Sequence, residues 1–341
     1  MTTLVTGATG FLGNHVVRLL VERGERVRVL VRPSSELRRL EGLPVERVAG
    51  DLCDAASLTP ATEGVETVYH VAADYRLWAR APRQIYEANV TGTRNLLQAA
   101  RNAGVARFVY TSTVATMAVP HAGSLPDERT VSSLDQMIGH YKRSKWLAEQ
   151  EALGEARAGM PVVIVNPTTP VGPGDVKPTP TGRTLVDFLN GRMPAYVDTG
   201  LNWVPVEDAA AGHLLAAERG SVGERYILGG ENLSLKQVLD IVAGVSGRPA
   251  PRVRLPHAMA LVAGFADAAV SRLLRKEPRI PLEGVRMARH SMFVDAGKAR
   301  RELGFAPGPV SAALERAVRW YQANGYAGLR RLTGTAQAHA A

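Results

Sequence analysis

The stretch Thr2-Thr3-Leu4-Val5-Thr6-Gly7-Ala8-Thr9-Gly10-Phe11-Leu12-Gly13-Asn14-His15-Val16-Val17-Arg18-Leu19-Leu20 decides the fold. A short β-branched run leads into glycines at 7, 10 and 13. Apolar residues on a helical period follow (Val16, Val17, Leu19, Leu20) until Gly24 stops them. Strand, tight turn and helix in that order set backbone N–H groups and the positive end of a helix where a pyrophosphate can sit. Glycines let the chain approach the phosphates closely. Gly7, Thr9, Gly10, Phe11, Leu12 and Gly13 are therefore the candidate cradle for a dinucleotide.

Outward from this stretch the pattern repeats. Further strands are expected at 26–31, 45–49, 67–71, 107–112 and 162–166, with helices at 14–23 and 84–103 between them. Alternating strands and helices give an α/β class, a Rossmann-type doubly wound parallel sheet. After Asn166 the texture changes: Pro167, Pro170, Pro173, Pro178 and Pro180 crowd together with Gly172, Gly174 and Gly182. A long Pro/Gly-rich loop after a strand is expected to serve as a substrate lid. Helices are then expected near 184–190, 207–219, 235–245, 258–275, 295–303 and 310–324. The expected division is a dinucleotide-binding core at 1–166, a smaller, mainly helical substrate-binding part at 167–330 with segments returning to the core, and a frayed tail at 331–341.

Composition narrows the class. With 341 residues, 45% hydrophobic and 21% charged, the chain is neither disordered nor fibrous and has room for two unequal domains. Its single cysteine, Cys53, excludes an internal disulfide and a C-x-x-C pair. Met1 leads straight into the first strand without a leader pattern, so a cytoplasmic location is expected. Forty-one basic against 32 acidic residues give a net charge of +9. The arginines are dispersed among acids, as in Glu22-Arg23-Gly24-Glu25-Arg26, which argues against nucleic acid and for attraction to anionic small molecules or an anionic membrane surface. The apolar run 258–270 is broken by Asp267 and falls short of the roughly 20 residues a bilayer span needs, so it is expected as a buried or interfacial helix. The eight histidines show no metal-binding spacing, and no G-x-S-x-G elbow occurs.

Particular residues carry the chemistry. Arg32 ends the second strand where an acid would hold the ribose of NAD. With Ser34, Ser35 and Arg38 behind it, a guanidinium suits a 2'-phosphate, so NADP(H) is the expected cofactor and NAD(H) the alternative. Asp51 and Leu52 follow the third strand and are placed to meet adenine, although Asp51 also suits a helix cap. Ala72 and Ala73, after the fourth strand, are small where a ribose must pass. Tyr141 and Lys145 stand at i and i+4 on one helical face, where the ammonium can lower the phenol pKa and leave Tyr141 able to exchange a proton with a substrate oxygen. A hydroxyl from Thr111-Ser112-Thr113 would hold that oxygen as hydride moves.

On these motifs the chain resembles the extended short-chain dehydrogenase/reductase (NAD-dependent epimerase/dehydratase) family over nearly its whole length. Thr6 to Gly13 matches T-G-x-x-G-x-x-G, His70 to Ala73 the strand-four motif, Asn89 the helix-four asparagine, and Tyr141 with Lys145 the Y-x-x-x-K pair. Trp203-Val204-Pro205-Val206-Glu207-Asp208 is similar to the family's late segment. The resemblance implies that Pro167 and Val171-Gly172-Pro173-Gly174 close on nicotinamide and substrate, and that helices 84–103 and 139–159 can pair two subunits. The family's usual catalytic serine is replaced by Thr113, with Ser112 beside it as the other candidate. Within the family, 111–117, 166–175 and 292–295 look closest to dihydroflavonol 4-reductase-like proteins and to hopanoid-associated sugar epimerases.

The leading functional expectation is an NADP(H)-dependent oxidoreductase interconverting a carbonyl and an alcohol. One alternative is a nucleotide-sugar 4-epimerase or dehydratase that retains NAD, with Arg183, Arg192 and Arg225 as diphosphate ligands. Another is a non-catalytic NADP sensor, against which the intact Tyr141 and Lys145 argue.

Overall fold

In the computed structural model, which describes residues 1–117, 124–274, 276–278 and 280–327, the β-branched runs of the first half are strands. They are β1 (Thr2–Thr6), β2 (Arg26–Val31), β3 (Val45–Ala49), β4 (Thr67–His70), β5 (Arg107–Thr111) and β6 (Val162–Pro167). Between them run α1 (Phe11–Glu22), the short α2 (Thr59–Thr62) and α3 (Arg83–Tyr86), α4 (Gly92–Asn102) and α5 (Gly139–Arg157). The second half contributes the strands β7 (Thr169–Val171), β8 (Ala195–Val197), β9 (Gly200–Pro205), β10 (Arg225–Leu228), β11 (Glu231–Ser234) and β12 (Val253–Leu255). Its helices are α6 (Pro180–Leu189), α7 (Val206–Arg219), α8 (Leu235–Ser246), α9 (His257–Leu273), α10 (Leu282–Met287), α11 (Gly297–Leu303) and α12 (Val310–Ala323). The tail expected at 331–341 lies outside the described residues.

Seven strands form one parallel sheet in the order β10-β6-β5-β4-β1-β2-β3. Successive side chains of a strand point to opposite faces, so Val5 joins the core under α1 and α7 while Leu4 joins the core under α4 and α5. Both faces being covered explains the continuous apolar run Val162 to Val165 of β6, a strand buried along its whole length. The strand order turns around between β1 and β4, and in a doubly wound sheet the crevice outside the carboxyl ends at such a point is the usual place for a ligand.

Three features go beyond the sequence reading. β10 is a seventh strand of the main sheet: Arg225-Tyr226-Ile227-Leu228 pairs with Ile164 to Pro167, and four residues are too few to show a period. The helix expected at 84–103 is α3 and α4 joined by a π turn at Glu87–Thr91. The Pro/Gly-rich stretch, expected as a substrate lid, opens with a strand and makes specific contacts: β7 pairs with β9 in a small sheet, Asp175 is buried and accepts hydrogen bonds from Thr179 and the Tyr321 hydroxyl, and His15 is bonded to the Pro173 carbonyl.

A third core unites α6, α8, α12 and β9 through Leu185, Phe188, Trp203, Val238, Leu239 and Leu314. Helix α9 buries only Ala260, Gly264 and Ser271 and leaves Val262 69% and Leu273 84% exposed, so it is not the buried helix that its apolar sequence allowed. Among the described residues no helix is long and apolar enough to cross a membrane.

Candidate active site

The crevice begins at the glycine turn. Gly7 has φ +72°, and a Cβ there would stand 2.7 Å from the Ala72 backbone nitrogen, so the ends of β1 and β4 approach as only glycine allows. A Cβ on Gly13 would lie 2.2 Å from the Gly7 carbonyl oxygen. This closeness presses α1 against the strand. Gly10 precedes α1 without a side-chain cap, so no capping side chain occupies the first N–H groups of the helix. A narrow turn with a bare helix N-terminus fits a pyrophosphate. Thr9 is half-buried in the same turn, and the Ala72 N–H donates to the Thr6 hydroxyl at 3.2 Å.

At the end of β2 the Arg32 side chain is exposed, while the residue's backbone N–H donates to the Ser35 hydroxyl at 3.1 Å, folding 32–35 into a tight turn. Arg38 is exposed as well, whereas its neighbour Arg39 reaches back and donates to the Gly10 carbonyl at 2.7 Å. The sequence reading did not single out Arg39, because nothing in its local pattern shows that it turns toward the glycines. Asp51 accepts from the Cys53 N–H at 2.9 Å in a local turn, while Asp54 is the cap of the short helix that follows. The Leu52 carbonyl accepts from Asn95 at 2.9 Å. Ala73 is exposed on the rim after β4.

Behind the crevice lies a buried polar chain. His70 is hydrogen-bonded to Thr6 at 2.7 Å and to Thr93 at 3.0 Å. Asn89, in the π turn, accepts from the Asp74 N–H at 2.7 Å and donates to the Asp74 carbonyl and the Ser144 hydroxyl, both at 2.9 Å. The loop after β4 is thereby tied to α5. Complete burial pulls the His70 pKa down to about 3, so the ring stays neutral.

Helix α5 carries Tyr141 and Lys145 toward this chain. The Lys145 ammonium donates to the Tyr110 hydroxyl at 2.9 Å and the Thr111 carbonyl at 2.8 Å and lies over the Tyr110 ring. Burial lowers its pKa to about 7, and Glu149 acts against that shift. The Tyr141 phenol does not follow the expected depression. Burial raises its pKa and the hydrogen bond with Thr113 opposes the rise. In a low-dielectric site both the phenol and the ammonium favour their neutral forms, and the hydrogen bonds of Lys145 go to Tyr110 and Thr111.

The two candidate hydroxyls separate cleanly. Ser112 is buried and donates to Glu149. Glu149 also accepts from Thr116 at 3.1 Å and Asn166 at 3.0 Å, and pairs with Arg225 at 3.3 Å. Thr113 is half-buried and lines a cavity of about 90 Å³ with Val114, Thr168, Leu201, Asn202 and Met292. The structure therefore joins Thr113 with Tyr141 and assigns Ser112 to the floor. Pro167 ends β6 opposite Leu228, one residue before Thr168 on the cavity wall. Of the arginines considered for a diphosphate, Arg225 is held by Glu149 and the Glu128 carbonyl, Arg183 faces Glu277 at 3.8 Å, and Arg192 faces Asp187 at 3.4 Å.

Known proteins are similar to this chain in sequence and fold. The model of the NAD dependent epimerase/dehydratase family matches residues 3–229. A protein of Synechocystis sp. provisionally named a dihydroflavonol 4-reductase is 46% identical over 326 residues, 94% of this chain and 95% of its own length. Sterol demethylase protein B of Methylococcus capsulatus is 40% identical over 327 residues, 95% of this chain and 99% of its own. The crystal structure of a nucleoside-diphosphate-sugar epimerase from Pseudomonas aeruginosa superposes with a TM-score of 0.81 at 32% identity, covering 96% of this chain and 99% of the other.

Proposed function

Because the chain belongs to the NAD dependent epimerase/dehydratase family, and is thus an enzyme of the extended short-chain dehydrogenase/reductase type that takes NAD(P), we propose that it is an NADP(H)-dependent reductase interconverting a carbonyl and an alcohol. The observation that carries this reading is the cavity beside Thr113, which has no arginine lining it among the described residues. A nucleotide-sugar epimerase must hold a diphosphate, and the three arginines expected for it, Arg183, Arg192 and Arg225, each face a carboxylate instead. The free, exposed Arg32 guanidinium at the end of β2 favours a 2'-phosphate over bare ribose hydroxyls. Within this proposal residues 167–330 mainly close over the substrate and the enzyme works in the cytoplasm. Pairing of two subunits through α4 and α5 is also part of it, and sedimentation can test that separately.

When bound, NADPH supplies hydride to the carbonyl carbon; the chain's own residues handle the oxygen. Gly7, Thr9, Gly10, Phe11, Leu12 and Gly13 would cradle the pyrophosphate, with Arg32 on the adenosine phosphate, Asp51 and Leu52 near the adenine, and Ala72, Ala73 and Pro167 along the remaining path. Thr113 donates a hydrogen bond to the substrate oxygen, and Tyr141, kept neutral by burial, delivers its proton there. Lys145, held by Tyr110 and the Thr111 carbonyl and with a pKa lowered to about 7 by burial, can take its charged form behind the phenol as that proton leaves.

Purified protein mixed with a panel of ketones and aldehydes should oxidise NADPH in a one-to-one ratio with alcohol formed. Tightly retained NAD after purification, with no net turnover of added NADPH, would overturn the proposal in favour of the epimerase.

A further inference from the structure

Lys142 is the next residue after Tyr141, and the reaction proposed above gives it no task. Its side chain is only 6% exposed. A buried ammonium ordinarily has a carboxylate beside it, because an unpaired charge in a poor dielectric costs several kcal/mol. Among the described residues Lys142 takes part in no ion pair, and the positions outside them carry no Asp or Glu. Its one hydrogen-bond contact among the described residues is the Met292 thioether sulfur at 3.8 Å, a weak acceptor that cannot balance a charge. Met292 in turn lines the cavity with Thr113, Thr168 and Asn202. The cation therefore sits behind a cavity wall, one residue from the proton donor and one thioether from the space that holds the reacting carbon.

We propose that Lys142 is a binding residue for a carboxylate on the substrate, so that the compound reduced is an oxo acid whose carboxylate lies near its carbonyl. This rests on the reductase reading of the same cavity and names the substrate class within it. The long, unbranched thioether of Met292 can move aside at little cost, which lets an entering carboxylate reach the ammonium. Burial alone pulls the Lys142 pKa down to about 8, with no carboxylate among the causes, so the group is still mostly charged at neutral pH and gains strongly from a partner.

The test uses the full-length protein with 3-oxooctanoate and its methyl ester as reduction substrates and NADPH as cofactor, and, in parallel, calorimetric binding of octanoate and octanamide to the NADP+-loaded protein. In the wild type the acid should show a KM at least about ten-fold below that of the ester, and octanoate should bind at least about ten-fold tighter than octanamide. Lys142→Met should remove both preferences, while Lys142→Arg should keep a larger share of them than the methionine variant. Because Lys142→Met removes an uncompensated buried charge, its melting temperature should rise, which separates a ligand-binding lysine from one that holds the fold together. A wild type with no preference for the carboxylate, or a preference that survives Lys142→Met, overturns the proposal. If neither oxo compound is reduced while octanoate still binds through Lys142, the carboxylate site stands and the oxo-acid assignment is overturned; the reductase reading itself falls only on retained NAD with no turnover of added NADPH.

Discussion

Ser112 gives its hydroxyl hydrogen to Glu149, and that bond turns one of two neighbouring hydroxyls into the floor while Thr113 faces the cavity. Replacing Thr113 by Val should therefore lower kcat/KM by on the order of a hundred-fold or more, the usual loss when a donor to the reacting oxygen is removed. Ser112→Ala should stay within a few-fold in rate and instead cost about 1–3 kcal/mol of stability, because a buried carboxylate loses a partner. Steady-state kinetics and urea unfolding on both variants check the division; a rate loss in Ser112→Ala larger than in Thr113→Val would reverse it.

Tyr141→Phe keeps the ring and removes the proton. NADPH binding, followed by quenching of protein fluorescence, should remain within about two-fold, while turnover should fall by roughly a hundred- to ten-thousand-fold. Turnover close to wild type would mean that another group protonates the substrate oxygen.

Arg32 is the residue expected to choose the cofactor. Arg32→Ala should weaken NADPH by about ten- to a hundred-fold, since a charge-assisted pair with phosphate is lost, and change NADH binding by no more than about three-fold. Equal losses for the two cofactors would show that Arg32 does not read the 2'-phosphate, since the bond to Ser35 comes from its backbone N–H and survives the substitution.

Acid should destabilise the protein through two buried histidines. Burial lowers the pKa of His70 to about 3 and that of His213 to about 4, and His213 is bonded to Thr111 and to the Ala209 carbonyl. Unfolded, both titrate near 6.5. Their contribution is complete above that value and is lost as pH falls from about 6.5 toward 4, where the unfolded chain binds protons that the folded one refuses, at about 1.4 kcal/mol per pH unit for each proton. His213→Gln should make the slope of unfolding free energy against pH shallower by close to one proton between pH 6 and 4.5. An unchanged slope would show that His213 takes up a proton in the folded state.

What the sequence disclosed depended on range. The glycine turn, the strands 26–31 and 45–49, and the Tyr141/Lys145 spacing are local patterns, and the structure has each of these elements where the residues put it. Ser112 and Thr113 were indistinguishable in sequence because the acid that separates them, Glu149, lies on α5, and its own partner Arg225 comes from β10. Arg39 and Lys142 were missed for the same reason: the carbonyl and the thioether they reach are 29 and 150 positions away. The short strands β7 to β12 carry three to six residues each, often beside Pro or Gly, and declare themselves only by pairing.

The seventh strand also sets an order in time. β10 enters the sheet beside β6, and Arg225 at its start closes the carboxylate cluster that holds Ser112. During synthesis the glycine turn emerges first, but the floor beneath the reacting atoms stays open until more than 220 residues have left the ribosome, an interval on the order of ten to forty seconds at ordinary elongation rates. From the emergence of β6 to that of β10, roughly three to twelve seconds at the same rates, β6 is an unprotected sheet edge and Glu149 lacks its arginine, so the nascent chain is most exposed to mispairing just before it becomes an enzyme.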